Sequence, residues 1–68
     1  MKTLDTSGYS CPEPVIMTKK ALKESPEGLT VIVDNRASRE NVTRYAMAVG
    51  YNVETEEGRG CWTLKISK

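Results

Sequence analysis

A chain of 68 residues makes one domain that removes only about 60% of its unfolded surface from water, which excludes a large enclosed substrate cavity. Ten basic against nine acidic residues, a net charge of +1, argue against a nucleic-acid binder driven by electrostatics, so direct nucleic-acid binding is not expected. Histidine is absent and only two cysteines occur, so Cys-His catalysis, histidine metal sites and a four-ligand zinc site are excluded, and no metal or cofactor is expected.

The chain opens on Met-Lys-Thr-Leu-Asp, which lacks the apolar core of an export signal, and no apolar run reaches membrane-spanning length. A soluble, cytoplasmic protein with no membrane partner is expected, and in that compartment structural disulfides are rare. Residues 2–5 form a short first strand with Leu4 as its core contact. A loop then turns at Gly8 and delivers Cys11 to the start of a helix that opens with Pro12 and Pro14. That helix runs from Pro12 to about Glu24, with Val15, Thr18, Ala21 and Leu22 on one stripe and Lys19, Lys20 and Lys23 toward solvent. Ile16 and Met17 widen the stripe or stay partly exposed.

Ser25-Pro26-Glu27-Gly28 stops the helix and turns the chain. Residues 29–34 are β-rich and apolar on both faces, as in an interior strand. After a loop at Asn35-Arg36-Ala37, Ser38 is the expected N-cap of a second helix. Val42, Tyr45, Ala46 and Val49 recur at helical spacing and mark its buried face, and Gly50 fits a left-handed C-cap. Residues 51–56 and 61–67 form two strands joined by Glu57-Gly58-Arg59-Gly60, a hairpin turn. Trp62, Leu64 and Ile66 share one face of the last strand, and Cys61, Thr63 and Lys65 share the other. Trp62 and Tyr45 are expected in the core.

The order is therefore β-α-β-α-β-β. Right-handed crossovers make the first three strands parallel and gather their C-terminal ends on one edge, the edge where open α/β sheets tend to bind ligands. The Cys11 loop, the loop before the second helix with Arg36 and Arg39, and the hairpin with Arg59 all fall there. A free cysteine ordinarily packs as a small hydrophobe. Cys11 is placed differently, between a loop and a proline-opened helix, where the helix dipole and the N–H groups of Glu13 and Val15 favour a thiolate. The Glu13 carboxylate opposes it. Tyr9 stands beside the thiol as a contact residue. Cys61 reads as an ordinary strand residue, since bridging Cys11 requires Cα atoms within roughly 7 Å.

The run Leu4-Asp5, Gly8, Cys11-Pro12-x-Pro14-Val15 and Thr18-Lys19-Lys20-Ala21-Leu22 resembles the signature of the TusA/SirA/YedF family of small sulfur carriers. Val33-Asp34-Asn35, Glu40-Asn41-Val42 and Gly50-Tyr51-x-Val53 resemble its YedF-like, selenium-metabolism-associated branch in particular. The resemblance implies an α/β (α+β) two-layer sandwich: a mixed four-stranded sheet with two helices on one face, one TusA-like domain over residues 1–68. It implies that Cys11 accepts sulfur as a persulfide from a donor protein, such as a cysteine desulfurase, and relays it to an acceptor protein. Gly8, Pro12, Glu13 and Pro14 are the supporting motif. Lys19, Lys20, Lys23, Arg36, Arg39 and Arg59 are candidate partner-docking residues. Two other readings fit the same residues: a non-catalytic module that docks a protein or RNA through the basic first helix, and a dithiol switch between Cys11 and Cys61.

Overall fold

The computed structural model describes residues 2–10 and 12–68. Its elements are β1 (Lys2–Asp5), α1 (Glu13–Glu24), β2 (Gly28–Val33), α2 (Arg36–Ala48), β3 (Asn52–Glu57) and β4 (Trp62–Ser67). The sheet order is β1-β2-β4-β3. β1 pairs with β2 in parallel, while β4 runs antiparallel to both β2 and β3. The first three strands therefore point the same way, as expected, and the last strand inserts between the second and third.

Hydrophobic patterning sets this order. β2 and β4 carry the fully buried Leu29, Val31, Val33, Leu64 and Ile66, and each central strand has two neighbours to satisfy its backbone groups. The edges go to strands unsuited to further pairing: β1 has four residues, and β3 exposes Asn52, Glu54, Glu56 and Glu57. Short or charged edges resist pairing with another chain.

Register separates the two faces of the sheet. Leu4, Val31 and Leu64 stand in one row and Leu29, Ile66 and Val53 in the next, and all pack toward Leu22 of α1 and Val42 and Ala46 of α2. Each fully buried leucine, isoleucine or valine among them contributes about 1.5–3 kcal/mol by leaving water. The other face carries the rows Thr3, Thr30, Lys65, Glu54 and Asp5, Ile32, Thr63, Glu56. With both helices on the apolar face, the fold has two layers. β2 is thus interior by its neighbours while Ile32, on the uncovered face, is only half-buried.

Both helices depart from expectation at their ends. α1 begins at Glu13 with Pro12 as its N-cap and no side-chain cap. Its buried stripe is Pro14, Thr18 and Leu22, with Val15 and Ala21 packed at its margin. Thr18 is tolerated in the core because its hydroxyl donates to the Pro14 carbonyl at 2.8 Å. The N-cap of α2 is Asn35 rather than Ser38: the Asn35 side chain accepts from the Ser38 N–H at 2.8 Å, and Ser38 is buried within the first turn. At the other end Gly50, at φ +95°, follows the C-cap Val49. The N–H of Gly50 bonds the Met47 carbonyl and that of Tyr51 the Ala46 carbonyl, a Schellman closure. Val49, expected on the buried face, is 48% exposed, because the chain leaves the helical path at that residue.

The hairpin is displaced by one residue. Glu57 belongs to β3 and pairs with Trp62, so Cys61 lies in the connecting loop and not in a strand. The Gly58 N–H bonds the Cys61 carbonyl at 2.8 Å. Trp62 and Tyr45 are partly buried against the core.

Candidate functional site

Three connections meet at the C-terminal edge of the parallel strands: residues 6–12 after β1, residues 34–35 after β2, and residues 58–61 after β3. Ladder partners bring them level, Asp5 opposite Ile32, and Val33 opposite Trp62 opposite Glu57.

The first connection is anchored at its start by Thr6. This residue is fully buried, and its N–H and hydroxyl both donate to the Ile32 carbonyl, at 2.9 and 2.7 Å. They extend the β1–β2 pairing by one step with side-chain reinforcement. The chain then turns. Ser7 N–H donates to the Asp5 carboxylate at 2.9 Å, Tyr9 N–H returns to the Thr6 carbonyl at 3.1 Å, and Gly8 adopts φ +87°, a conformation glycine takes without Cβ strain. The Gly8 N–H donates across to Asp34 Oδ2 at 2.8 Å. Cys11 lies outside the described residues. On either side of it Ser10, Pro12 and Glu13 are exposed, Tyr9 is 49% exposed, and Pro14 is buried. The Glu13 N–H donates to the Ser10 carbonyl at 2.9 Å, so this donor, expected to be available to an anion, is already occupied by the turn.

The second connection is Asp34 and Asn35. Asn35 uses both ends of its amide: Oδ1 caps α2 at Ser38 N–H, and Nδ2 donates to Asp34 Oδ1 at 3.0 Å. The N–H of Gly8, with that amide as the smaller contributor, holds the Asp34 carboxyl below its ordinary value. Ser7 does the same to Asp5 through its hydroxyl and its backbone N–H. Asp34, Asn35 and Thr6 fasten this edge, a part that sequence reasoning missed. The available signal was an Asp-Asn pair between an apolar strand and a helix, residue types that bond neighbouring backbone groups.

Arg36 and Arg39 stand on the first turn of α2 and share Glu40, at 3.6 and 3.7 Å. Arg36 is 79% exposed, whereas the Arg39 guanidinium lies 5.3 Å from the centroid of Trp62, a cation–π contact that also covers this ring. Arg59 is exposed in the hairpin loop. The edge thus gathers the arginines and the Cys11 connection, with Arg39 committed to a packing role. Lys19, Lys20 and Lys23 are exposed along α1 and run away from that edge, Lys23 about 15 Å along the helix from Glu13 at 1.5 Å per residue. Lys19 and Lys23 line a shallow cavity of about 230 Å³ with Tyr45, Val49, Tyr51 and Lys68. A larger open groove of about 580 Å³ lies between α2 and β3, lined by Arg39, Glu40, Thr43, Arg44, Met47 and Thr55.

Among the described residues, no group of three or more potential ligands is placed to hold a metal ion, and no helix is long and apolar enough to cross a membrane. This arrangement suits chemistry done on a presented loop by an incoming macromolecule better than chemistry enclosed in a pocket.

The family model described as Sulfurtransferase TusA matches residues 2–68. A Methanocaldococcus jannaschii protein named "Putative sulfur carrier protein" is 48% identical over all of this chain and 95% of its own length. Sulfur carrier protein TusA of Pseudomonas entomophila is 34% identical, covering 97% of this chain and 86% of its own. The crystal structure of a SirA-like protein from Desulfitobacterium hafniense superposes with a TM-score of 0.87 at 42% identity, covering 98% of this chain and 96% of that one. The chain belongs to the TusA sulfurtransferase family of sulfur carriers.

Proposed function

We propose that Cys11 takes up sulfur as a persulfide and hands it on. The Cys11 thiolate attacks the terminal sulfur of a persulfide on a donor protein, such as a cysteine desulfurase. A new S–S bond forms at Cys11 as the donor's S–S bond breaks, and the donor cysteine leaves with the electron pair as a thiolate. There is no net oxidation. Transfer to the acceptor repeats the exchange in reverse, with Cys11 as leaving group. The chemistry is that of thiol–disulfide exchange and asks for an accessible, partly ionised sulfur more than for a base or a pocket.

The observation that carries this reading is the fastened loop at the sheet edge, with exposed residues on both sides of Cys11. Gly8 supplies its turn, Pro12 starts the helix and buried Pro14 anchors the helical end. Glu13 sets a negative charge near the thiol and tempers its ionisation. Lys19, Lys20 and Lys23 along α1, with Arg36 and Arg59 at the sheet edge, meet acidic faces of donor and acceptor, while Arg39 stays packed on Trp62. The whole chain acts as one carrier domain in the cytoplasm, serving tRNA thiolation, cofactor sulfuration or sulfur and selenium metabolism through protein acceptors.

The test is mass spectrometry of the reduced protein after incubation with a cysteine desulfurase and cysteine. One added sulfur on the peptide containing Cys11, absent in Cys11→Ser, is expected. No added sulfur where an established carrier gains one overturns the reading. A Cys11→Ser variant that supports the pathway as well as the parent would instead indicate a docking module.

A further inference from the structure

We infer that Asp34, at the end of β2, is a positioning residue for sulfur transfer, its carboxylate holding the loop that leads to Cys11 against the first turn of α2. The inference rests on the carrier reading above.

Residues 7–10 contain Gly8, the residue type with the widest backbone freedom. Of the hydrogen bonds described for these residues, those donated by Ser7 and Tyr9 close back on Asp5 and Thr6 and the Ser10 carbonyl accepts from the Glu13 N–H at the start of α1, so none of these ties the turn at Gly8 to the β2–α2 connection. The Gly8 N–H to Asp34 Oδ2 bond, at 2.8 Å, reaches another element. Asp34 is itself held: its Oδ1 accepts from Asn35 Nδ2 at 3.0 Å, and Asn35 Oδ1 accepts from the Ser38 N–H at 2.8 Å. Gly8, Asp34, Asn35 and Ser38 thus form one chain of bonds from the loop to the α2 helix, whose buried residues Ser38, Val42 and Ala46 are fixed in the core. The bond at Gly8 is exposed, so water can replace the carboxylate without a buried group losing its partner. The fold survives loss of Asp34 while the loop loses its reference point. Transfer between two proteins depends on bringing sulfur into line with sulfur, and a misplacement of about 1 Å can cost about a hundredfold in rate.

Two substitutions separate position from charge. Asp34→Asn removes the charge and keeps one oxygen for the Gly8 N–H, its amide nitrogen replacing the oxygen that accepts from Asn35 Nδ2, whereas Asp34→Ala removes charge and both oxygens. Loss of charge alone favours the Cys11 thiolate, so a charge role makes the two variants alike, with faster alkylation at a given pH. For a positioning role, Asp34→Ala should lower the saturating rate of persulfide formation from a cysteine desulfurase with cysteine by about tenfold, within the range that misplacement allows. The half-saturating donor concentration should stay constant and Asp34→Asn should retain most of the rate. Amide hydrogen exchange at Gly8 should accelerate in Asp34→Ala and far less in Asp34→Asn. A wild-type rate in a folded Asp34→Ala overturns the inference. So does equal impairment of both variants, or a loss confined to half-saturation. A wild-type protein that takes up no sulfur at all defeats the carrier reading first, and the positioning role with it.

Discussion

Two strand-to-helix connections leave the same edge of the sheet in the same direction, and they are built on opposite plans. From β2 to α2 the chain needs only Asp34 and Asn35, and their side chains cap the helix and bond one another. From β1 to α1 it takes residues 6–12, begins with a buried threonine, turns on a glycine and enters a helix that no side chain caps. A capped helix end spends its donors on its own chain. Prolines at the start of α1 remove donors instead of satisfying them, and the one at Pro14 fastens the helix to the core. The short connection is framework. The long one leads through Cys11 in the sequence, and the Gly8 N–H to Asp34 bond ties it to the short one.

Breaking the floor beneath both connections should have the largest effect. Leu64 is fully buried beside Val31, and Leu64→Ala should cost about 2–5 kcal/mol, a large share of the stability of so small a domain. Urea unfolding should show the midpoint falling sharply. A loss under about 1 kcal/mol would mean that the site collapses around the missing methyls. Gly28→Ala should come next, at about 1–3 kcal/mol for a residue forced into a poorly populated conformation. Its φ is +129°, and a Cβ there runs into the Ile66 carbonyl oxygen.

The contrast itself is sharpened by Asn35→Ala. The cap is worth about 1 kcal/mol, and its removal also leaves Asp34 without its amide partner. Stability should fall and amide exchange in the first turn of α2 should quicken. Pro12→Ala, at an end with no side-chain cap, should change stability by less than about 1 kcal/mol, chiefly through the unfolded chain. Equal losses from the two variants would erase the distinction between a capped and a presented helix end.

The regular parts of this molecule were legible in the sequence, because periodicity reports burial directly. Val42 and Ala46 at helical spacing, and Leu64 and Ile66 at strand spacing, all fall in the core. Right-handed connectivity brought the parallel direction of the first three strands and the shared edge with it. Termini were harder. Asn35 and Ser38 are both good caps, and what separates them is that Ser38 lies over the core. Val49 continues the apolar spacing one residue past the helix, so pattern alone buries a side chain that the C-cap turns outward. The loop's fastening was invisible for a different reason: Gly8 and Asp34 stand 26 positions apart, and a backbone N–H leaves no mark in a sequence. The same holds for the turn that occupies the Glu13 donor.

Acid should act on the fastening before it acts on the core. Asp34 and Asp5 both have folded pKa values below the ordinary 3.8, Asp34 through Gly8 and then Asn35, Asp5 through the Ser7 hydroxyl and N–H. A carboxyl whose folded value is depressed releases its proton more readily in the native state. Between the two values the unfolded chain binds more protons, so stability rises with pH there. The contribution is complete above about pH 5 and is lost as pH falls through and below 3.8 toward the folded values. Both carboxylates are exposed, so the effect on the whole fold is the smallest considered. Its place is what matters. NMR titration from neutral pH downward should show the Gly8 and Ser7 amide shifts following carboxyl protonation at a pH below 3.8 while the amides of Val31 and Leu64 hold still. Asp34→Asn should flatten the Gly8 response and leave that of Ser7 intact. If Gly8 instead moved together with the core amides, loop and framework would be releasing as one unit, and the division of labour between the two connections would fall.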